Sequence, residues 1–479
     1  MQLEHTYLSL SDKFYSEQKP ITTTRPNIIY FNNKLADELG ISQSEEELLS
    51  MLAGNDITDG MRPFAQAYAG HQFGHFTMLG DGRAIMLGEL VSPEGKRYDI
   101  QLKGSGRTPY SRGGDGRATL YSMLREYLIS EAMHHLGIPT SRSLAVVTTG
   151  DNVRRQVPHD GAVLTRVASS HIRVGTFEFA ARFTGIPGLR ELLHYTVKRH
   201  DPDLADLPEG EKAAKLLKRV CERQAELVTH WMRVGFIHGV MNTDNTGLAG
   251  ETFDYGPCAF MNEYDLKTVF SSIDSFGRYS FGNQPRIMQW NMAVFASALM
   301  PLMSENTETA KEIAEGIVDD FANVFTKKWE QMLVSKIGFT VAESSTNQLA
   351  EELLDWMSEH NADYINTFRI LSTDKIPENS VYDSDSFKNW KTKWFSELEK
   401  RNISKKDAFS RMKSVNPAFI PRNHIVENAL ESAANDKNLD PLNILLKKLQ
   451  NPYPKECSLD ELQEVPKNFD ETYQTFCGT

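Results

Sequence analysis

A strand, a glycine-rich loop and an amphipathic helix follow one another between residues 98 and 136. Residues 98–103 alternate apolar and polar side chains, which is typical of a half-buried strand. The next fourteen residues, 104–117, contain five glycines and three arginines but one acidic residue. Residues 119–136 place apolar side chains at steps of three and four, and Gly137 and Pro139 end the helix. This density of flexible backbone and positive charge favours a loop that contacts an anion over a simple connector.

The remaining patterns predict a few strands followed by many helices. Strand-like runs at 77–79 and 84–87 flank Gly80-Asp81-Gly82-Arg83, which predicts a β-hairpin. With strands at 143–149 and 162–168, this makes a five-stranded sheet with one intervening helix. Polar residues at 195–212 and 372–400 predict surface connections. We therefore predict an α+β fold. Its later helices are expected over 212–236, 289–304, 308–336, 346–371 and 401–450.

Charge and cysteine content exclude several classes of protein. The 52 basic and 64 acidic residues give a net charge of −12, which argues against non-specific nucleic-acid or anionic-membrane binding. The N-terminus lacks a signal-peptide pattern, and no apolar run reaches the ~20 residues that span a bilayer. The four cysteines are scattered without a CxxC pair, so neither a disulfide framework nor a structural zinc site is expected. We expect a cytoplasmic protein with no membrane or nucleic-acid partner.

A predicted strand and a predicted turn carry groups that can bind a phosphate. Lys103 closes its strand and can bind a phosphate as a point charge if an acidic partner holds it. Glu126 lies near the apolar stripe of the next helix and can face the sheet. Gly80 and Gly82 allow close approach of backbone N–H groups, and Arg83 adds charge. Taken singly, a snorkelling lysine, a solvated glutamate and an ordinary turn are the commoner alternatives.

A third cluster follows the predicted helix 212–236. The segment 238–245 ends in Asn-Thr-Asp-Asn, and Asp254 comes nine residues after Asn245. Amide and carboxylate oxygens are ligands of Mg²⁺ alongside substrate phosphates, although such a string alone is most often a turn. Arg166 and Arg173 can add positive charge to the anion-contacting loop. The alternative interpretation is that each arginine forms a surface salt bridge. The three clusters in this order favour a nucleotide and metal site.

The same order of motifs is similar to that of protein kinases and aminoglycoside kinases. Three longer motifs resemble the selenoprotein O family, whose bacterial members are also called YdiU. They are residues 68–74, 101–112 and 238–245, and the resemblance covers essentially the whole chain.

The resemblance implies a protein-kinase-like bilobal fold, with a small β-rich N-lobe, a large helical C-lobe and extra terminal helical segments. The implied units are an N-terminal extension at 1–60, the N-lobe at 61–175, and the C-lobe with the catalytic and metal-binding loops at 176–285. Residues 286–479 would then form a C-terminal helical region with a redox-capable tail.

For the activity, the resemblance implies a nucleotidyltransferase that moves AMP from ATP to Ser, Thr or Tyr hydroxyls of proteins and releases pyrophosphate. UMP from UTP is an alternative, and the nucleotide lies inverted relative to kinases. Mg²⁺, or Mn²⁺ in its place, would be held by Asn245 and Asp254, with Asp244 as proton acceptor and Glu126 paired to Lys103. The implied nucleotide contacts are Gly80, Gly82, Arg83, Lys103, Asp115, Gly116, Arg166 and Arg173.

One position departs from ordinary kinases of this class. Small-molecule kinases carry an Asp five residues before the metal-binding Asn, and here that position is Val240. A valine accepts no proton, so the chemistry is either not standard γ-phosphoryl transfer or absent. An atypical kinase and an inactive ATP-binding scaffold therefore stay open as alternatives.

The C-terminal tail carries Cys477, where many eukaryotic relatives have selenocysteine. Oxidation that tethers the tail to a cysteine such as Cys258 is one hypothesis. An inert tail thiol is the alternative.

Overall fold

The computed structural model describes residues 2–57, 60–373, 377, 380–456, 464–466 and 468–476. Within these ranges most strands precede residue 170 and most helices follow it, so the α+β prediction is confirmed. The strands are β1 (Tyr15–Glu17), β2 (Asn27–Phe31), β3 (Phe64–Gln66), β4 (Ala69–Gln72), β5 (His75–Met78), β6 (Ala84–Val91), β7 (Arg97–Lys103), β8 (Ala118–Thr119), β9 (Arg142–Arg154), β10 (Pro158–Ala168), β11 (Phe236–Ile237) and β12 (Ala259–Phe260).

The helices cover α1 (Asn33–Leu39), α2 (Glu45–Leu52), α3 (Leu120–His135), α4 (Val174–Phe179), α5 (Gly185–His200), α6 (Glu209–Arg233), α7 (Gln284–Met303), α8 (Thr307–Lys336), α9 (Ser344–Glu359), α10 (Tyr364–Leu371), α11 (Asp385–Lys400), α12 (Lys405–Val415), α13 (Asn423–Asn435), α14 (Asp440–Leu449) and α15 (Phe469–Thr472). A π-helical turn at Ala180–Thr184 joins α4 to α5. Among the described residues, no helix has both the length and the apolar character needed to cross a membrane.

The main sheet is antiparallel, with the order β1-β3-β6-β7-β10-β9-β2 and β8 paired to β10. Along β7, Ile100 and Leu102 pack with Leu35 of α1 and Leu52 of α2 in one hydrophobic cluster. Because side chains alternate along a strand, Lys103 projects from the opposite face. Helix α3 packs against β9 and β10 on that face, which brings it over the lysine.

The predicted hairpin between 77–79 and 84–87 is wrong. β5 pairs with β4 in a separate two-stranded sheet, whereas β6 pairs with β3 and β7 in the main sheet. Seven of the eight residues of β6 are buried, so both faces of this strand are covered, as is typical of a strand inside a sheet. The segment 80–83 therefore connects two sheets. Gly80 has φ +137°, and a Cβ there would lie 2.3 Å from Cγ of Tyr110, so only glycine fits.

The predicted five-stranded sheet is also too small, because it has eight strands, β1 and β2 among them from residues before 60. Two predicted connections prove to be largely helical. Helix α5 continues to His200, so the stretch 195–212 is a connection only between α5 and α6. In 372–400, α11 buries Phe387, Trp390 and Trp394 at helical spacing, a pattern hidden among many charged residues.

Helices α6, α7 and α8 pack together and form the base of the helical part. β11 and β12 pair as Phe236 with Phe260 and Ile237 with Ala259. The pairing of β11 with β12 fixes both ends of the segment that connects these two strands. This segment carries the Asn-Thr-Asp-Asn string and Asp254. Arg125 of α3 donates to the carbonyls of Gly256 and Cys258, and Lys103 of β7 donates to Asp254, so the segment faces α3 and the main sheet.

Candidate active site

A cavity of about 930 Å³ opens between the main sheet, α3 and the loop between β11 and β12. All twelve residues predicted for the site from the sequence line it, although they are spread over 175 positions of the chain. They are Gly80, Gly82, Arg83, Lys103, Asp115, Gly116, Glu126, Arg166, Arg173, Asp244, Asn245 and Asp254.

Two cations and two carboxylates form a network at the floor of this cavity. Lys103 Nζ donates to Glu126 Oε2 at 2.6 Å and to Asp254 Oδ1 at 2.7 Å. Arg166 donates from Nε to Glu126 Oε1 at 2.9 Å and from Nη2 to Asp254 Oδ1 at 2.6 Å. Arg166 and Glu126 are almost fully buried, whereas the Asp254 side chain keeps 25% of its surface exposed. Asp254 can therefore still reach a ligand in the cavity.

The network keeps both carboxylates ionised. Burial would raise the pKa of Asp254, but Arg166, Lys103 and Arg173 outweigh it and hold the pKa well below its usual value. Burial likewise opposes ionisation of Glu126, and Arg166 and Lys103 again lower its pKa. Asp254 also has a left-handed backbone, with φ +64°, a conformation that is costly for a residue other than glycine and recurs at functional sites.

Asp244 lies beside this network in a different environment. Burial raises its pKa to about 6, a shift that Arg173 and a hydrogen bond from Gln72 partly oppose. Its Oδ1 is buried and has no hydrogen-bond partner among the described residues. A Cβ on Gly70 would lie 2.6 Å from that oxygen, so β4 must carry glycine there. An unpaired buried carboxylate oxygen in a cavity wall is suited to receiving a proton or a cation.

Arg173 orients the backbone of this loop. Its Nη1 donates to the carbonyl of Asp244 at 3.0 Å, and its guanidinium lies 4.2 Å from the ring centroid of Tyr68 and 4.8 Å from that of Phe253. With its side chain committed to these contacts, Arg173 adds positive charge at the cavity wall while it positions Asp244.

The residues predicted to hold a metal have suitable oxygen atoms. Asn245 donates its amide Nδ2 to the carbonyl of Val240 at 3.0 Å, so this bond does not use Oδ1, an oxygen of the type that binds Mg²⁺. Asp254 uses Oδ1 for both cations of the network, which leaves Oδ2. One amide and one carboxylate oxygen, completed by phosphates and water, fit Mg²⁺ or Mn²⁺. No group of three or more His, Cys, Asp or Glu side chains suited to a metal occurs in the described ranges.

Some polar groups of the glycine-rich loop at 104–117 form hydrogen bonds within the loop itself. Arg107 donates to the carbonyls of Gly113 and Gly114 and so braces the loop. Asp115 is paired with Arg155 at 2.9 Å. Arg112 and Arg117 line the cavity, with Arg117 bound to Asp151 at 3.2 Å. The loop is thus a preformed, cationic wall.

Sequence reasoning missed two residues that line this cavity, Arg155 and Gln72. Arg155 lies between two long strands, and nothing in its local pattern marks it. Gln72 falls in the motif at 68–74, but no chemical role could be read there because its contact with Asp244 depends on the packing of β4.

Cys477 lies outside the described residues, whereas the tail before it is placed. Thr475 donates its hydroxyl to the carbonyl of Pro257 at 2.8 Å, and Phe476 lines the cavity. Cys258, the suggested partner, is buried, and burial raises the pKa of its thiol to about 11, which suppresses the thiolate. The hypothesis that oxidation joins Cys477 to Cys258 stays a prediction. It requires the buried thiol of Cys258 to become exposed.

Comparison with known proteins identifies the family of this chain. The family model described as protein adenylyltransferase SelO matches residues 1–450.

The chain belongs to the SelO family.

Curated relatives match the chain over nearly their full length. The chain is 48% identical over 481 residues to the protein nucleotidyltransferase YdiU of Geobacillus kaustophilus, covering 100% of this chain and 99% of that protein. It is 50% identical over 479 residues to the protein nucleotidyltransferase YdiU of Brevibacillus brevis, covering 99% and 97%. The resemblance drawn from the motifs is confirmed, and the chain is a nucleotidyltransferase of the SelO family.

Proposed function

We propose that this SelO-family enzyme transfers AMP from ATP to Ser, Thr or Tyr hydroxyls of acceptor proteins. The observation that carries the proposal is a cationic cavity with a buried proton acceptor, Asp244, in an unusual position. Asp244 has a buried, unpaired oxygen, and Val240 occupies the place of the usual kinase base. The base thus lies directly beside the candidate metal ligand Asn245.

The reaction assigns each group a task. The acceptor hydroxyl oxygen forms a bond to the α-phosphorus, the bond from that phosphorus to the α–β bridging oxygen breaks, and pyrophosphate leaves. The hydroxyl proton passes to Asp244. Lys103, Arg166 and Arg173 lie where they can offset the negative charge that builds on the phosphates.

A divalent cation would be held by Asn245 and Asp254. When bound, it supplies Lewis-acid stabilisation of phosphate oxygens. Lys103 and Arg166 keep Asp254 ionised and oriented for this task.

An inverted nucleotide follows from the same proposal, since the α-phosphorus must face Asp244. The cationic loop and Arg83 would then contact the outer phosphates. We also propose the kinase-like bilobal arrangement, with units at 1–60, 61–175, 176–285 and 286–479. UTP in place of ATP is a variant of the same chemistry.

Incubation with ATP labelled at the α or the γ phosphorus tests the proposal. Label from the α position on protein, with release of pyrophosphate, is the expected result. Label from the γ position alone would establish an atypical kinase. Intact ATP binding without any label would establish a scaffold.

A further inference from the structure

A row of cations and aromatic rings, in which neighbouring rings meet edge to face, leads from the catalytic loop to the protein surface. The guanidinium of Arg182 lies 4.3 Å from the centroid of the Phe76 ring, and Phe76 lies 5.6 Å from His71. The row continues through Trp290, 5.4 Å from His71 and 4.9 Å from the guanidinium of Arg278. We call this the cation–aromatic ladder. Its members are Arg182, Phe76, His71, Trp290, Arg278 and Tyr279.

The inner end of the ladder is tied to the loop that carries Asp244. The hydroxyl of Tyr279 donates to Asn242 Oδ1 at 2.6 Å, and the backbone N–H of Phe73 donates to the same oxygen at 3.1 Å. Asn242 begins the short turn Thr243–Asn245 and lines the cavity. A polypeptide lying along the ladder would therefore bring a side chain toward Asp244.

The outer end of the ladder is exposed and partly apolar. Arg182 is exposed, and beside it Phe183 and Ile186 each keep 42% of their surface exposed. The ring centroid of Phe183 lies 6.4 Å from that of Phe76, with the two rings tilted, and Phe183 belongs to the π-helical turn Ala180–Thr184. Neighbouring exposed apolar side chains are typical of a binding surface, and π-helical turns recur at functional sites.

The charge of the ladder indicates the kind of partner. The chain has 64 acidic and 52 basic residues, so carboxylates are in surplus. Even so, no carboxylate of the described residues lies within 4.0 Å of the guanidinium of Arg182 or Arg278. The buried Glu178 is engaged by His71, whose Nδ1 lies 2.5 Å from Oε1. Two guanidiniums held on aromatic rings complement acidic side chains of a partner.

We propose that the cation–aromatic ladder is the docking surface for the acceptor protein, and that it selects hydroxyls flanked by acidic and apolar residues. This inference rests on the proposed function, because it names the substrate class of the same site. Arginines that attract carboxylates and rings that cover apolar side chains would together hold such a segment against Asp244.

The test uses random copolymers as acceptors and ATP labelled at the α-phosphorus. Poly(Glu,Tyr) should be modified with a higher kcat/KM than poly(Lys,Tyr) of the same tyrosine content. The double variant Arg182→Glu, Arg278→Glu should lower kcat/KM for poly(Glu,Tyr) at least about tenfold, with the KM for ATP unchanged. Lys327→Glu, the same charge reversal at an exposed position of α8, should behave as the wild type. The single variant Arg182→Glu changes only an exposed side chain and should give an intermediate loss.

Binding without ATP separates this inference from the proposed function. Fluorescent poly(Glu,Tyr) should bind the wild type, and the double variant should lose that binding. If no acceptor receives label but binding is lost in the double variant, the surface stands and the proposed function fails. If label transfer occurs but the double variant binds and modifies poly(Glu,Tyr) as the wild type does, the ladder is not the docking surface. Tighter binding of a single-stranded oligonucleotide than of poly(Glu,Tyr) would also overturn it.

Discussion

Replacing Glu126 by Gln removes a negative charge from between two buried cations. In the wild type Lys103 and Arg166 face Glu126 and Asp254, so the network has no net charge. The variant leaves one positive charge in excess, and Arg166 is only 2% exposed, so water cannot solvate it. Removing one partner of a buried pair costs about 3–5 kcal/mol. With an unfolding entropy of roughly 1 kcal/mol/K for a chain of this size, Tm should fall by about 3–5 °C.

Activity should fall as well, because Glu126 helps to position Lys103 in the cavity. We expect kcat/KM for transfer of the α-label to decrease about 10–100-fold, as for other groups that support a ligand-binding residue. Thermal unfolding and label transfer measured on one preparation check both effects. The matched control is Glu131→Gln on the same helix.

Glu131 forms a buried pair with Arg142 at 2.8 Å and does not line the cavity. Its replacement should lower Tm by a similar amount and leave label transfer near the wild-type rate. If Glu126→Gln kept both the stability and the activity of the wild type, the coupling of the network to the reaction would be refuted.

Four further outcomes are expected. Asp254→Ala should abolish label transfer at any Mg²⁺ or Mn²⁺ concentration, and near-full activity would remove it from the metal site. Lys103→Ala should weaken ATP binding at least tenfold in a calorimetric titration. Because a proton acceptor must be ionised and the pKa of Asp244 is about 6, the rate should be full above that pH and fall about tenfold per unit below it. A flat profile from pH 5 to 7 would contradict this role. Gly80→Ala places a methyl group against Tyr110 and should reduce ATP affinity, measured by the same titration.

Some contacts of the site follow from local periodicity. Alternation along β7 places Lys103 opposite Ile100 and Leu102, and the helical repeat of α3 places Glu126 on the buried side. These two patterns allow the side chains to face each other, and the resemblance to the family supplied their pairing. By contrast, β5 and β6 look like a hairpin in the sequence, but β6 is buried on both faces and its edges pair with β3 and β7.

The helical part shows the same limit. The sequence of helix α11 predicts a polar connection, because charged residues separate its aromatic side chains. Gln72 and Arg155 reach the cavity only through the packing of β4 and the pairing of β9 with β10. No local pattern contains this information.

The amino-acid sequence by itself determined the types of residue at the site and their order along the chain, because turns, strand alternation and helical repeats depend on near neighbours. Tertiary structure alone decided that Lys103 and Arg166 share Asp254, which lies 151 and 88 positions further along. It also decided that rings and guanidiniums from four separate segments come together in one ladder. Such contacts form when distant elements bury their apolar faces together, and that free energy belongs to the whole fold rather than to any short stretch.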